Sequence, residues 1–155
     1  AVANVRPLSP VQYGTLLKMA TSPAEDFPAL SETEKYEKKI EQIEAGGRGL
    51  GGSFEQPGDD FQVSVDEALL FSNSDRLQKE LVPDNKSSLA GRMRDAKDVN
   101  AGIDLACWNI FGRPATEAEQ TALGQFLHRR DGREGEGYQQ LLWALLTSGE
   151  CRFNY

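Results

Sequence analysis

Apolar residues recur along this chain at helical spacing, and no stretch shows a convincing alternation of apolar and polar positions over a strand's length. Tyr13, Leu16, Leu17 and Ala20 fall at i, i+3, i+4 and i+7, one stripe of a first helix. A charged helix with only Tyr36, Ile40 and Ile43 on its apolar face is predicted to run to about Ala45 and stop at Gly46-Gly47. Val65, Ala68 and Leu69 suggest a short helix, and Leu77 and Leu81 another that Pro83 ends. Residues 83–97 are polar, with a single turn around Leu89 and Met93. From Asp98 the pattern strengthens. Ile103, Cys107, Ile110 and Phe111 line one face, with Leu105 and Trp108 beside it, and Gly112 stops the helix. Ala118, Ala122, Leu123, Phe126 and Leu127 form the next stripe. The last helix, about 137–148, carries Tyr138 and the run from Leu141 to Leu146, apolar nearly all round, and is expected to be the most buried. The reading is an all-α domain with a three-helix C-terminal core at about 98–148.

Helix-start signals support these limits. Arg6-Pro-Leu-Ser-Pro-Val-Gln12 and Arg113-Pro-Ala-Thr-Glu-Ala-Glu119 share one skeleton, and each precedes an apolar stripe. In both, the hydroxyl can accept from the amide three residues on, and the Gln or Glu can return a bond to the cap's own N–H. The echo is therefore helix-start grammar and not a repeated catalytic element. Ser31-Glu-Thr-Glu34 and Ser64-Val-Asp-Glu67 read as two more such boxes, and Ser74 as a simple cap.

Residues 46–60 hold six of the chain's glycines between Gly46 and Gly58, and Pro57. They read as a flexible loop, or as a subdomain boundary within an otherwise single domain spanning 1–155. Within them, Gly47-Arg-Gly-Leu-Gly-Gly52 formally matches the dinucleotide fingerprint. That fingerprint works only between a strand and a helix N-terminus, and here a charged helix precedes it and a polar loop follows. The reading is a loop with no nucleotide site.

Composition narrows the field further. A chain of 155 residues, 39% apolar and 26% charged, suits one domain with a true core. No run approaches the ~20 apolar residues of a membrane-spanning helix. The opening Ala-Val-Ala-Asn-Val-Arg6 lacks the charged-then-apolar order of a signal peptide. Net charge is −7, with 24 acidic against 17 basic side chains, so no nucleic-acid partner is expected. The best local candidate for a phosphate-binding face, Lys86, Arg92, Arg94 and Lys97, is interleaved with Asp84, Asp95 and Asp98 and reads as a solvated face.

The sequence offers little to acid–base or metal chemistry, and no catalytic, cofactor-binding or metal-ligating residue is assigned. His128 is the single histidine and sits near a helix end, where a cation complements the helix dipole. One His and two distant Cys do not make a four-ligand zinc site. There is no Cys-x-x-Cys-His, so no c-type haem attaches to this chain. Ser53 lacks the Gly-x-Ser-x-Gly elbow. Neither the acidic groups Asp59, Asp60, Asp66 and Glu67 nor Asp131-Gly-Arg-Glu-Gly-Glu136 meets calcium-loop spacing. Trp108 and Trp143 stand at core-facing positions, and Asn85-Lys-Ser87 matches a glycosylation sequon.

Longer motifs add a likeness. Leu105-Ala-Cys-Trp-Asn-Ile-Phe-Gly-Arg-Pro-Ala-Thr-Glu-Ala-Glu119, Leu141-Leu-Trp-Ala-Leu-Leu-Thr-Ser-Gly-Glu150 and Phe153-Asn-Tyr155 together resemble the domain of unknown function that closes large secreted planctomycete proteins. The opening Arg6-to-Gln12 stretch and Phe61-Gln-Val-Ser-Val-Asp-Glu-Ala-Leu-Leu-Phe-Ser-Asn73 resemble that family's start and middle. Ala115, Thr147, Cys151 and Tyr155 depart from its pattern, the last replacing a terminal His and so removing a potential ligand. Many members carry a cytochrome c-type domain upstream. The resemblance implies an envelope, periplasmic or extracellular location and a C-terminal module of a larger polypeptide. No cofactor is then expected in this chain, and a c-type haem belongs to an upstream domain.

The expected function is a non-catalytic helical docking module whose partners are upstream domains of the same polypeptide or other envelope proteins. Two alternatives stand beside it: an accessory part of a secreted redox protein, and a ligand-binding module for a glycan using the glycine loop and acidic side chains. In an up-down-up bundle the first and third helices end on the same side. Cys107 and Cys151 are therefore candidates for a disulfide that an oxidising compartment would preserve, the alternative being two separate thiols.

Overall fold

The computed structural model describes residues 6–54 and 74–154. It is all-α among them, apart from one two-residue antiparallel pairing, and groups into two compact units. The first unit takes residues up to Ser74 together with Gly149–Tyr155, and the second takes Asp75–Ser148.

The first unit opens with β1 (Arg6–Pro7) and α1 (Pro10–Thr21), followed by a 3-10 turn at Ala24–Asp26 and α2 (Thr33–Gly51). Ser9 caps α1, accepting from Gln12 N at 3.3 Å, while Gln12 Oε1 accepts from Ser9 N at 2.9 Å. The predicted box closes. The box at Ser31 does not: α2 begins after Glu32, and no side chain caps it. Tyr36, Ile40 and Ile43 do form the thin inward stripe of α2, with only Ile43 fully buried.

The predicted stop at Gly46-Gly47 is wrong, and so is the loop reading where it covers Gly46–Gly51. The helix runs on through both glycines to Gly51, and the boundary expected at 46–60 therefore begins inside a helix. The cause is packing. A Cβ on Gly47 would stand 2.5 Å from Thr15 Cα and 2.6 Å from Thr15 N, and one on Gly51 would stand 2.9 Å from Val11 Cα. Gly14 on α1 faces both, and a Cβ there would meet Gly47 O and Gly51 N. These glycines let two helix backbones touch, and helical dihedrals suit them once that contact offsets their propensity cost of about 1 kcal/mol each. Tyr13, Leu17, Ala20, Leu50 and Phe54 are buried around the crossing.

In the second unit, α3 (Asp75–Leu81) buries Leu77 and Leu81 as expected. The polar-looking segment after it holds a helix, α4 (Leu89–Arg94), with Leu89, Ala90, Gly91 and Met93 all buried. Ser88 caps it, accepting from Gly91 N at 3.1 Å. Then come α5 (Val99–Phe111), α6 (Glu117–His128) and α7 (Glu134–Leu146), the predicted three helices. Asp98 caps α5, and Gly112 ends it in the left-handed conformation at φ 69°. Thr116 and Glu119 close the second predicted capping box at α6. Helix α4 packs on α5 and α7, so the core is larger than the predicted three-helix one.

Burial corrects three details. On α6 only Leu127 is fully buried, and Ala118 and Ala122 are exposed. Helix α7 starts at Glu134, and its apolar surface is split: Leu141, Leu142, Leu145 and Leu146 are buried while Ala144 is exposed. Trp108 is 56% exposed and not a core residue. The chain then closes the first unit with α8 (Gly149–Arg152) and β2 (Phe153–Asn154), where Arg6 pairs with Asn154 and Pro7 with Phe153. A two-residue pairing is too short to leave an alternating signature.

Candidate functional site

The second unit holds a polar cleft of about 450 Å³ where α4, the start of α5, the end of α6 and the start of α7 meet. Its chemistry comes from Arg94, Asn100, His128, Asp131, Glu134 and Tyr138. Each is placed by a feature already described: His128 closes α6, Glu134 opens α7, and Asn100 lies in the first turn of α5. Arg94 Nη1 donates to Asp84 Oδ1 at 3.0 Å, which holds the guanidinium at the rim. Tyr138 is 8% exposed. Burial first, and the Glu134 carboxylate second, push its phenol above the ordinary value, against a smaller opposing pull from Arg94. The phenol thus stays a hydrogen-bond donor at neutral pH.

These groups supply hydrogen-bond donors and acceptors of both charge signs. The polar side chains of the cleft include no serine, threonine or cysteine nucleophile. Among the described residues no three His, Cys, Asp or Glu side chains come together as metal ligands. His128 sits at the C-terminal end of its helix, as the dipole argument expects.

The other residues singled out in the sequence are placed as follows. The glycine fingerprint lies in the last turns and C-cap of α2, with no strand before it, so its amides are committed to helix bonds. Ser53 follows this helix, its N–H bonded to Leu50 O at 2.9 Å. Asn85 of the sequon is engaged locally, accepting from Ser88 N at 2.8 Å and from Ser87 Oγ at 2.9 Å. The acidic groups at 59–67 and the box at Ser64 lie outside the described residues. Of the basic stretch, Arg94 is paired with Asp84 and Lys97 lies 3.9 Å from Asp98, but Arg92 departs from the solvated reading, its Nε and Nη2 being buried without a hydrogen-bond partner among the described residues. Cys107 and Cys151 are both buried, in different units. Burial pushes the Cys151 thiol up to about 12, leaving it protonated and slow to react.

The repeated Arg-Pro motif has one feature that spacing alone did not give. Arg113 grips Glu119 with two parallel bonds, Nη1 to Oε2 at 2.9 Å and Nη2 to Oε1 at 2.8 Å. Glu119 Oε2 also accepts from Thr116 N at 2.7 Å. The Arg113 bond above all, with the Thr116 bonds, holds the carboxyl at about 2 against the opposing effect of burial. Asp104 completes the corner, accepting from Ala115 N at 2.9 Å. The motif is a rivet between α5 and α6.

Comparison with known protein families, curated proteins and solved structures yields no match to this chain. No helix among the described residues is long and apolar enough to cross a membrane.

Proposed function

We propose that this chain is a non-catalytic helical docking module, the C-terminal part of a larger envelope polypeptide of the kind its terminal motifs resemble. Its partners are upstream domains of the same polypeptide, and any c-type haem belongs to one of those. One observation carries the docking role: Trp108 is 56% exposed on α5, with half-buried Leu105 and Phe111 three residues to either side. A tryptophan left in water forgoes a large transfer free energy, and tryptophan is among the residues that most often anchor protein contacts. Arg113, 5.2 Å over the Phe111 ring, gives this patch a polar margin.

A photo-cross-linking residue placed at position 108 of the full-length polypeptide tests the reading. The expected product joins position 108 to a segment of the same polypeptide outside these 155 residues. The reading fails if no cross-link forms and if, with Trp143→Phe as background, the Trp108 indole is quenched as fully in the intact polypeptide as in the isolated chain.

A further inference from the structure

The turn between α6 and α7 gathers positive charge in a chain whose net charge is −7. The sequence there is His128-Arg-Arg-Asp-Gly-Arg133, and the backbone folds it tightly. Arg130 N bonds Leu127 O at 2.9 Å, Arg133 N bonds Arg130 O at 2.9 Å, and Gly132 reverses direction at φ 85°, where a side chain would be strained. The result brings Arg129, Arg130 and Arg133 to one cleft of about 370 Å³, with Phe126 and Asp131 as the other lining groups. Three guanidinium groups thus face a single carboxylate. Among the described residues none of the three takes part in an ion pair, although acidic side chains outnumber basic ones overall.

Arg130 is held in place. Its guanidinium carbon lies 4.5 Å from the centre of the Phe126 ring. Its stem crosses α7 at Gly137, where an added Cβ would already lie 3.4 Å from Arg130 Cδ. Stacking engages the face of a guanidinium and leaves its in-plane N–H donors available, so the group is ordered before any ligand arrives. Three like charges against the single carboxylate of Asp131 leave the empty cleft with an excess of positive charge, and an anion relieves it. A carboxylate satisfies one arginine fork, whereas a tetrahedral dianion presents enough oxygens for two or three. The volume falls at the lower end of the range for small-ligand sites, larger than a bare ion needs.

We infer that Arg129, Arg130 and Arg133 form a binding site for a phosphate or sulfate ester group carried on a small polar scaffold. The site is separate from the docking patch at Trp108 and stands or falls independently of it. Its test is a titration of the 155-residue chain with inositol hexakisphosphate, followed by NMR at the arginine Nε–H groups. Saturable shifts at residues 129, 130 and 133 are expected, with affinity falling as salt rises from about 0.05 to 0.2 M. The double variant Arg129→Gln/Arg133→Gln, whose side chains are exposed, should bind at least about tenfold more weakly. Lys86→Gln/Lys97→Gln should not change binding. Inorganic phosphate, dextran sulfate and phosphatidylglycerol vesicles, with phosphatidylcholine vesicles as control, distinguish a soluble ester from a lipid headgroup. Absence of shifts at the three arginines, or equal weakening by both double variants, overturns the proposal.

Discussion

The α1–α2 crossing and the leucine-rich face of α7 reach close packing by different means. Between α1 and α2, glycines at 14, 47 and 51 remove side chains so that backbone meets backbone. Buried positions on α5 and α7 are mostly branched and bulky: Ile103, Ile110, Leu141, Leu142 and Leu146. A backbone crossing gains dispersion contacts and shape specificity but buries little apolar area, whereas a leucine-rich interface draws on the hydrophobic effect directly. The first should therefore be intolerant of added atoms and the second intolerant of lost ones.

The largest expected effect is in the second unit. Leu142→Ala, at a position with no solvent exposure, should cost about 2–5 kcal/mol in denaturant unfolding, the sum of transfer and cavity terms. A loss below about 1 kcal/mol would show that α7 does not depend on its leucines. Next, Gly47→Ala should destabilise by about 1–3 kcal/mol even though alanine favours helix, because the new methyl would press on the Thr15 backbone. Its control is Gly49→Ala in the same helix, where nothing lies within 4 Å, which should stabilise by about 0.5–1 kcal/mol. Equal effects at both positions would erase the proposed contrast. The smallest effect is electrostatic. Glu119 titrates at about 2 in the folded chain against an ordinary 4.5, so its ion pair stabilises above about 4.5 and is lost as pH falls towards 2. Glu119→Gln keeps the capping geometry but should cost about 0.5–1 kcal/mol at neutral pH, since the pair is partly exposed. It should also flatten the acid limb between those pH values.

The same contrast explains what the sequence disclosed. Capping boxes at Ser9 and Thr116, the glycine stop at Gly112 and the stripes of α5 and α7 are local signals, and the structure reproduces them. Gly46 and Gly47 misled because a glycine that ends a helix and one that admits a neighbouring helix look alike until the neighbour is placed. Helix α4 was read only as a single turn around Leu89 and Met93 because Arg92 and Arg94 interrupt its four buried positions and Asp95 and Lys97 follow directly. Trp108 was misplaced because its spacing sits at the margin of a stripe, where burial depends on tertiary partners. The arginine cleft was hidden for a related reason. In sequence its three arginines enclose Asp131 and are followed at once by Glu134 and Glu136, and only the fold leaves those two glutamates out of the cleft lining.

The pairing of Arg6–Pro7 with Phe153–Asn154 has a consequence for the order of assembly. A ribosome delivers Asp75–Ser148 in full before Phe153 is made. The second unit can therefore complete its contacts while the first still lacks its closing strand and the Arg152 side chain that lies over Tyr13. Domains fold as their residues emerge. The first unit, begun before the second is translated, is thus completed after it, and during synthesis the α1–α2 crossing must persist, or wait, without the end that seals it.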